Sequence, residues 1–409
     1  MRRVVVTGMG AVSPFGIGVK VLFESLLAQR SSVRYVPELA KITGLRTRVA
    51  AVVPAVDSKE IPRKYRRSMS NMSIYATFAS QEAVSQGGAT EKELRGGNTG
   101  VAIGSTVGSP IATHEFYEEF LPTRSIDKTR ATFFFQIMNH SCASNVAQVF
   151  GITGRILAPS AACSTGCQAI GYGYEMIAWG KQERMLCGGA DEFHPLTAAT
   201  FDIINASSAK YNDRPTETPR PFDRDRDGVV CAEGAGILLL ESLDSAKRRN
   251  APIAAEVMGF ATVSDPANLA DPSAGSIETC IRKALTEASI QQNEIDYINA
   301  HATGTILGDI AESEAVGRVF GGKTPTSSLK GHFGHTMAAS GAIETIATIL
   351  MMQKGILIPT LNLDNVDPLC DNIFHFKNCM EKPIRTVLKN NFALGGIDSC
   401  LILRRYEND

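Results

Sequence analysis

The chain has 409 residues, 44% of them hydrophobic, enough to bury a large core and to form two or three structural units. Lys and Arg total 41 against 42 Asp and Glu, a formal net charge of −1, which excludes the global positive field that holds nucleic acid and leaves a charged partner to a local patch. Nine cysteines, at 142, 163, 167, 187, 231, 280, 370, 379 and 400, show neither a Cys-x-x-Cys pair nor metal-ligand spacing; they read as reduced cytoplasmic thiols, with no metal centre expected.

Taken in chain order, the start MRRVVVTGMGAVSPFGIG is broken by Thr7, Gly8, Gly10, Ser13 and Pro14 before any signal-peptide core can form, and it predicts a strand over residues 3–7 entering a Gly-rich turn. Further short β-branched runs lie at 100–104, 154–159, 185–188, 237–240 and 295–300. They alternate with helix-like stretches, the pattern of an α/β protein whose sheets are covered on both faces. The most apolar later stretch, 343–359, contains Glu344 and Lys354 and falls short of a membrane span. No dinucleotide fingerprint or phosphate-loop lysine motif occurs, so no bound cofactor is expected.

One internal relation stands out. CSTG ends at Gly166 and AASG at Gly341, and each opens a helix-patterned segment closed by a glycine fourteen positions later, Gly180 and Gly355. A small-residue turn leading twice into a buried helix suggests two related halves, 1–250 and 251–409; two unrelated helices with ordinary C-terminal glycines would give the same spacing.

In GRILAPSAACSTGCQAI, Cys163 sits where a strand gives way through small residues to a helix. A thiol at a helix N-terminus feels the positive end of the dipole and favours thiolate, and backbone N–H groups at such a turn can stabilise an oxyanion. Taken alone, a cysteine there is more often an ordinary packing residue, as Cys167 one turn later is expected to be. Two basic clusters, Arg63, Lys64, Arg66 and Arg67, then Arg124, Lys128 and Arg130, are either solvated faces or docking patches for an acidic partner.

The run AACSTGCQAI, followed in order by RPFDRDRDG (220–228), NAHATGTILGD (299–309), SSLKGHFGHTMAASG (327–341) and NNFALGGIDSCLIL (390–403), resembles the β-ketoacyl-acyl-carrier-protein synthases over essentially the whole chain. The resemblance implies a thiolase-like α/β fold, two related halves forming a layered αβαβα core, and decarboxylative Claisen condensation of malonyl carrier protein with an acyl chain held on Cys163. It further implies that His301 and His335 hold the extender thioester carbonyl, that Lys330 sets the local charge, and that Glu312, at the start of the next helix, orients the group. The backbone N–H of Leu394 would join that of Cys163 in the oxyanion hole.

Departures from the family pattern bear on substrate. Leu394 and Val229 each stand where the fatty-acid enzymes usually have phenylalanine, GGTN becomes Gly395-Gly396-Ile397-Asp398, and Asp202 follows Phe201 where glycine is usual. Val107, Phe201, Asp202, Val229 and Leu394 are the expected acyl-pocket residues. Together they suggest a specialised pathway, such as the type II polyketide or aryl-polyene branch. By the same resemblance, Arg63, Lys64, Arg66, Arg67, Arg124 and Lys128 would receive acidic acyl carrier protein. The chain would pair through the strand preceding Cys163 and the segment 133–151, including Phe133 to Phe135, as a homodimer or with a chain-length-factor homologue. A non-catalytic chain-length factor, a degradative thiolase and a Cys-His hydrolase are the competing readings. The nucleophile, the paired histidines and the long RPFD and AHATGT motifs stand against them in turn.

Overall fold

The computed structural model describes residues 1–127 and 129–407, so Lys128 lies outside the described residues. An 11-stranded sheet runs through it in the order Thr326–Ser327, Tyr297–Asn299, Thr386–Ala393, Ile397–Arg404, Ala255–Ser264, Val4–Ser13, Gly234–Ser242, Arg184–Asp191, Thr99–Gly104 and Ile156–Leu157, with Gly16–Ile17 paired to the end of Val4–Ser13. From either edge inward the pairings read parallel, parallel, antiparallel, antiparallel. The two halves therefore repeat one topology. They meet where Val4–Val6 pair with Ala255–Val257, which makes one continuous hydrogen-bonded path.

Layering follows from which elements touch. The helices Thr165–Ala178 and Ser340–Lys354 pack on each other and on strands from both halves, and nearly every side chain in them is buried. On the outside, helix Asn71–Gly87 covers the first half, and Ala274–Glu287 with Ile306–Phe320 covers the second. Five layers result, helix, sheet, helix pair, sheet, helix, as the family resemblance implied.

The CSTG and AASG relation has a steric cause. A Cβ on Gly166 would lie 2.6 Å from the carbonyl oxygen of Ala338, and one on Gly341 would lie 2.4 Å from the amide of Cys167. The two central helices cross at their N-termini and only glycine lets them approach. Each is entered through a short turn whose first residue has positive φ, Ala162 at 45° and Met337 at 50°, so the repeated sequence is a repeated backbone conformation.

Several sequence expectations change. The first strand does not turn at residue 7 but continues to Ser13, because Gly234–Ser242 pairs with it along its length. Glu312 does not open its helix; Ile306 does, and Glu312 lies in the second turn, facing inward. The 343–359 stretch is a buried central helix and its exit, and no helix among the described residues is long and apolar enough to cross a membrane. Of the three phenylalanines, Phe133 is buried while Phe134 and Phe135 are exposed.

Candidate active site

Cys163 lies in the turn Ala162–Ser164 just before the first central helix, and His335 lies just before the corresponding turn of the second half. Its backbone is fixed by hydrogen bonds from His335 N–H to the Val230 carbonyl and from Ala232 N–H to its own carbonyl. The symmetry of the halves thus brings both residues to the centre of the molecule, where His335 Nε2 is 2.8 Å from Cys163 Sγ. His301 enters from the loop after strand Tyr297–Asn299. The ligating atoms of Cys163, His301 and His335 lie within 4.8 Å of one another, and the two imidazoles meet edge to face with ring centroids 5.3 Å apart. One thiol and two imidazoles at that spacing could also hold a thiophilic ion, which would occupy the thiol.

The His301 loop is built by carboxylates. Glu312 accepts the N–H groups of His301 at 2.9 Å and Ala302 at 2.7 Å; Asp309 accepts those of Thr303 at 3.0 Å and Phe222 at 2.8 Å. The RPFDRDRDG motif finds its role here. Arg226 is almost fully buried and donates to the carbonyls of Thr305, Ile306 and Asp223 and to the Asp367 carboxylate. Arg220 pairs with Asp223 at 3.1 Å and Asp364 at 2.6 Å. Arg226 thus holds the loop by satisfying its orphan carbonyls, while carboxylates satisfy its amides.

Strand Thr386–Ala393 supplies the other wall. Lys389 Nζ is 2.7 Å from Glu344 Oε2, an ionic contact without hydrogen-bonding angles, since that oxygen has no hydrogen-bond partner. Asn390 Nδ2 donates to Glu312 at 3.0 Å. Asn391 Nδ2 donates to the Cys163 carbonyl at 3.1 Å and to Ser340 Oγ at 3.2 Å, and stands 3.5 Å from His301 Nδ1. With Nδ1 facing a donor, the His301 proton belongs on Nε2. The Phe392 ring packs against the His301 ring. Lys330 Nζ holds the other Glu344 oxygen at 2.6 Å, and Lys330, Lys389 and Glu344 are all fully buried.

Burial, reinforced by Lys330 and Lys389, holds both His301 and His335 well below the usual histidine range, so both are neutral at pH 7. Burial pushes the Cys163 thiol up to about 12, against the smaller downward pull of Lys330 and of the backbone N–H groups of Cys163 and Leu394. This corrects the expectation of a lowered thiol pKa: desolvation outweighs the helix terminus, and the resting pair is a neutral thiol beside a neutral imidazole. The backbone N–H groups of Cys163 and Leu394 thus both lie near the sulfur.

The hairpin turn carrying Leu394 is fixed from outside. Gly395 N–H donates to the Leu269 carbonyl at 2.7 Å and Asp265 N–H to the Gly396 carbonyl at 2.8 Å. Gly396 has φ 72°, and a Cβ there would lie 2.1 Å from the Asp265 carbonyl oxygen, so the turn accepts no side chain.

A cavity of about 370 Å³ opens on Cys163, His301 and His335, and Phe201, Val229 and Leu394 are among its walls. Two expected pocket residues are not. Asp202 is buried facing away, accepting the Arg46 amide at 2.8 Å, because its carboxylate is needed to hold that segment. Val107 is 58% exposed, outside the cavity. His332, left as a structural histidine in sequence, is buried with ring nitrogens at the Pro359 and Arg30 carbonyls. Of the basic residues, Arg63, Lys64, Arg67 and Arg124 are exposed and Arg66 is half-buried, whereas Arg130 is engaged by Glu115 at 2.6 Å.

Sequence reasoning missed Lys389, Asn391 and the role of Glu344. Three consecutive polar residues inside TVLKNNFA, and a lone glutamate in an otherwise apolar helix, were the available signals.

With this geometry in hand, comparison with known proteins is direct. The sequence model of the β-ketoacyl synthase N-terminal domain matches residues 1–246, and that of the β-ketoacyl synthase C-terminal domain matches residues 254–364. The 3-oxoacyl-[acyl-carrier-protein] synthase 1 of Haemophilus influenzae is 33% identical over 408 residues, 99% of this chain and 100% of that protein. The crystal structure of a β-ketoacyl synthase from Burkholderia phymatum superposes with a TM-score of 0.95 at 42% identity, covering 100% of both chains. A structure of a type II polyketide-synthase acyl carrier protein in complex with its ketosynthase bound to the hexaketide superposes with a TM-score of 0.91 at 30% identity, covering 99% of this chain and 100% of that one. The chain belongs to the β-ketoacyl synthase family of condensing acyltransferases, with the thiolase-like fold that the family shares.

Proposed function

We propose that this enzyme condenses malonyl carrier protein with an acyl chain carried on Cys163, in a specialised pathway that builds unsaturated or aryl-capped chains. The observation that carries the reading is the 2.8 Å approach of His335 Nε2 to Cys163 Sγ, with His301 beside it and both imidazoles neutral.

In the first half-reaction Cys163 sulfur attacks the acyl thioester carbon while His335 Nε2–H donates to the developing thiolate, the thiol proton passing through solvent to the departing carrier sulfur. The oxyanion rests on the N–H groups of Cys163 and Leu394, and the carrier thiol leaves with the proton. In the second, the malonyl C–CO₂ bond breaks and its electron pair becomes an enolate, whose oxygen accepts hydrogen bonds from the His301 and His335 rings. CO₂ departs, the enolate carbon attacks the Cys163 thioester, and the thiolate leaves. The product is a 3-oxoacyl carrier two carbons longer. Neutral imidazoles suit this step, since a donor that remains neutral adds no proton to the enolate carbon's competitor, the oxygen.

Acyl carrier protein is the proposed partner, received on Arg63, Lys64, Arg66, Arg67 and Arg124, with Lys128 outside the described residues. A two-chain assembly through the exposed Phe134 and Phe135 face completes the reading, the partner being a second copy or a chain-length-factor homologue; Cys163 marks this chain as the catalytic member. For substrate, Leu394 and Val229 at the cavity wall are smaller than phenylalanine and leave room for a rigid chain.

The test is an elongation assay with malonyl carrier protein. Aryl-enoyl or polyenoyl carriers should be extended at least about tenfold faster than saturated medium chains; the reverse order would refute the specialised pathway. In the same assay Arg66→Glu with Arg67→Glu should raise KM for carrier-bound donors while sparing small thioesters, and equal effects on both would remove docking from this patch.

A further inference from the structure

Four buried charges lie beneath the reacting atoms. Lys330 and Lys389 are fully buried and share one carboxylate, Glu344, at 2.6 Å and 2.7 Å. The fourth, Glu312, is also buried and acts only as an acceptor, from two backbone amides and Asn390. The groups facing Lys389 come from every element around it: Glu344 from the second central helix, Cys167 from the first, Glu312 from helix Ile306–Phe320, and Lys330, His301 and His335 from the turns at the site. With both imidazoles neutral, these two cations balance these two carboxylates, while the buried Asp191, held by Ser105, Thr106 and the Ala338 amide, is a further carboxylate acting on Cys163.

One lysine would satisfy Glu344. A second lysine buried at the same carboxylate carries a desolvation penalty that a single ion pair does not require, and Lys389 makes good that penalty only partly, through Glu344 and the Asn390 carbonyl. Its backbone position is also specific. Lys389 and Asn391 point to the same face of their strand, where Asn391 holds the Cys163 carbonyl, so Lys389 sits one strand step from a group bonded to the nucleophile's own backbone.

We propose that Lys389 is a positioning residue for the condensing reaction: its charge cancels that of the buried Glu344, so that the thiolate and the enolate form beside one buried negative charge fewer. This rests on Cys163 as the nucleophile. Lys389 touches no reacting atom; it acts through the field at the sulfur, and through Glu344.

The experiment is Cys163 alkylation by iodoacetamide from pH 7 to 9, read by peptide mapping so that exposed Cys379 does not contribute, for wild type, Lys389→Met, Glu344→Gln and the double variant. An uncompensated charge several ångströms away in a poorly screened interior shifts an ionisation by about one pH unit. Lys389→Met should therefore slow alkylation about tenfold at each pH, and Glu344→Gln should accelerate it by a similar factor. The double variant, which loses one charge of each sign, should return to within about threefold of wild type. A purely structural lysine would give no opposed signs and no return. An unchanged rate in Lys389→Met, or a double variant as slow as that single one, overturns the proposal. Should Lys389→Met not fold, the step from Glu344→Gln to the double variant carries the same test: alkylation must slow again, and no slowing overturns the proposal. Alkylation needs no carrier protein, so this result stands apart from the elongation assay that judges the function.

Discussion

Replacing both His301 and His335 by alanine should lower condensation by about 10⁴-fold, because the enolate then loses both of its donors and each such donor is worth roughly 10²–10³ in rate. The single variants should divide the effect. His335 lies 2.8 Å from Cys163 Sγ, whereas no hydrogen bond joins His301 to that sulfur among the described residues. His335→Ala should slow both acyl loading and CO₂ release from malonyl carrier protein, while His301→Ala should slow CO₂ release alone. Loading followed by mass and decarboxylation followed by labelled CO₂ separate the two. Equal loss of both activities in His301→Ala would mean that it serves the nucleophile as well, and the assignment of the second half-reaction would need revision.

The second large effect concerns stability. Arg226 is 1% exposed at its side chain, donates to three backbone carbonyls and pairs with Asp367, with Asp309 3.8 Å from its Nε. Arg226→Met keeps much of the volume but leaves buried Asp309 without its neighbouring cation and the carbonyls of Thr305 and Ile306 without their donor. Removing one partner from a buried ionic network costs about 3–5 kcal/mol, so the urea midpoint should fall by the equivalent amount. The loss should be accompanied by greater proteolytic sensitivity in residues 301–308, whose loop Arg226 closes. A surface substitution such as Arg282→Met, breaking only a helix i,i+4 pair, should cost about 0.5 kcal/mol or less. Similar costs for the two would show that the RPFDRDRDG motif does not hold the loop.

These two experiments fall on residues that differ in how readable they are. Cys163, His301 and His335 stand in small-residue or Gly/Thr-rich runs whose composition announces a turn beside a helix, and the CSTG and AASG relation carried the duplicated fold, because a helix crossing that tolerates only glycine must write glycine twice. The RPFDRDRDG motif was visible as a string, but its work was not: apart from Asp223, the partners of Arg226 lie 79 to 141 residues away in sequence, and only the folded chain places orphan carbonyls there. The strand Thr386–Ala393 was partly hidden for a related reason. Its centre reads Lys-Asn-Asn, which resembles a polar loop, yet all three side chains are fully buried because Glu344, Glu312 and the Cys163 backbone consume their polarity. Local rules failed there because the strand is part of the site. Strand Ala255–Ser264, rich in small residues, gave too little alternation to be read, and it is set by pairing with Val4–Ser13 and Ile397–Arg404 on its two sides.

The pocket residues show the limit of carrying positions over one by one. Phe201 lines the cavity, yet its neighbour Asp202 turns to Arg46, since adjacent residues of a helix face different directions. The nucleophile's environment shows another limit. A helix N-terminus is readable and lowers a thiol pKa; burial is not readable and raises it more. A group at hydrogen-bonding distance that stabilises the thiolate is what such a buried thiol then needs, and His335 Nε2 lies 2.8 Å away.

The central claim is that Cys163 carries the growing chain. The most direct test is intact-protein mass spectrometry of wild type and Cys163→Ala after mixing with acyl carrier protein, followed by malonyl carrier protein. The account predicts an acyl adduct on wild type only, lost upon malonyl addition as a chain two carbons longer appears on the carrier. An adduct of equal yield on Cys163→Ala, or loss of the wild-type adduct to free acid without elongation, would contradict it.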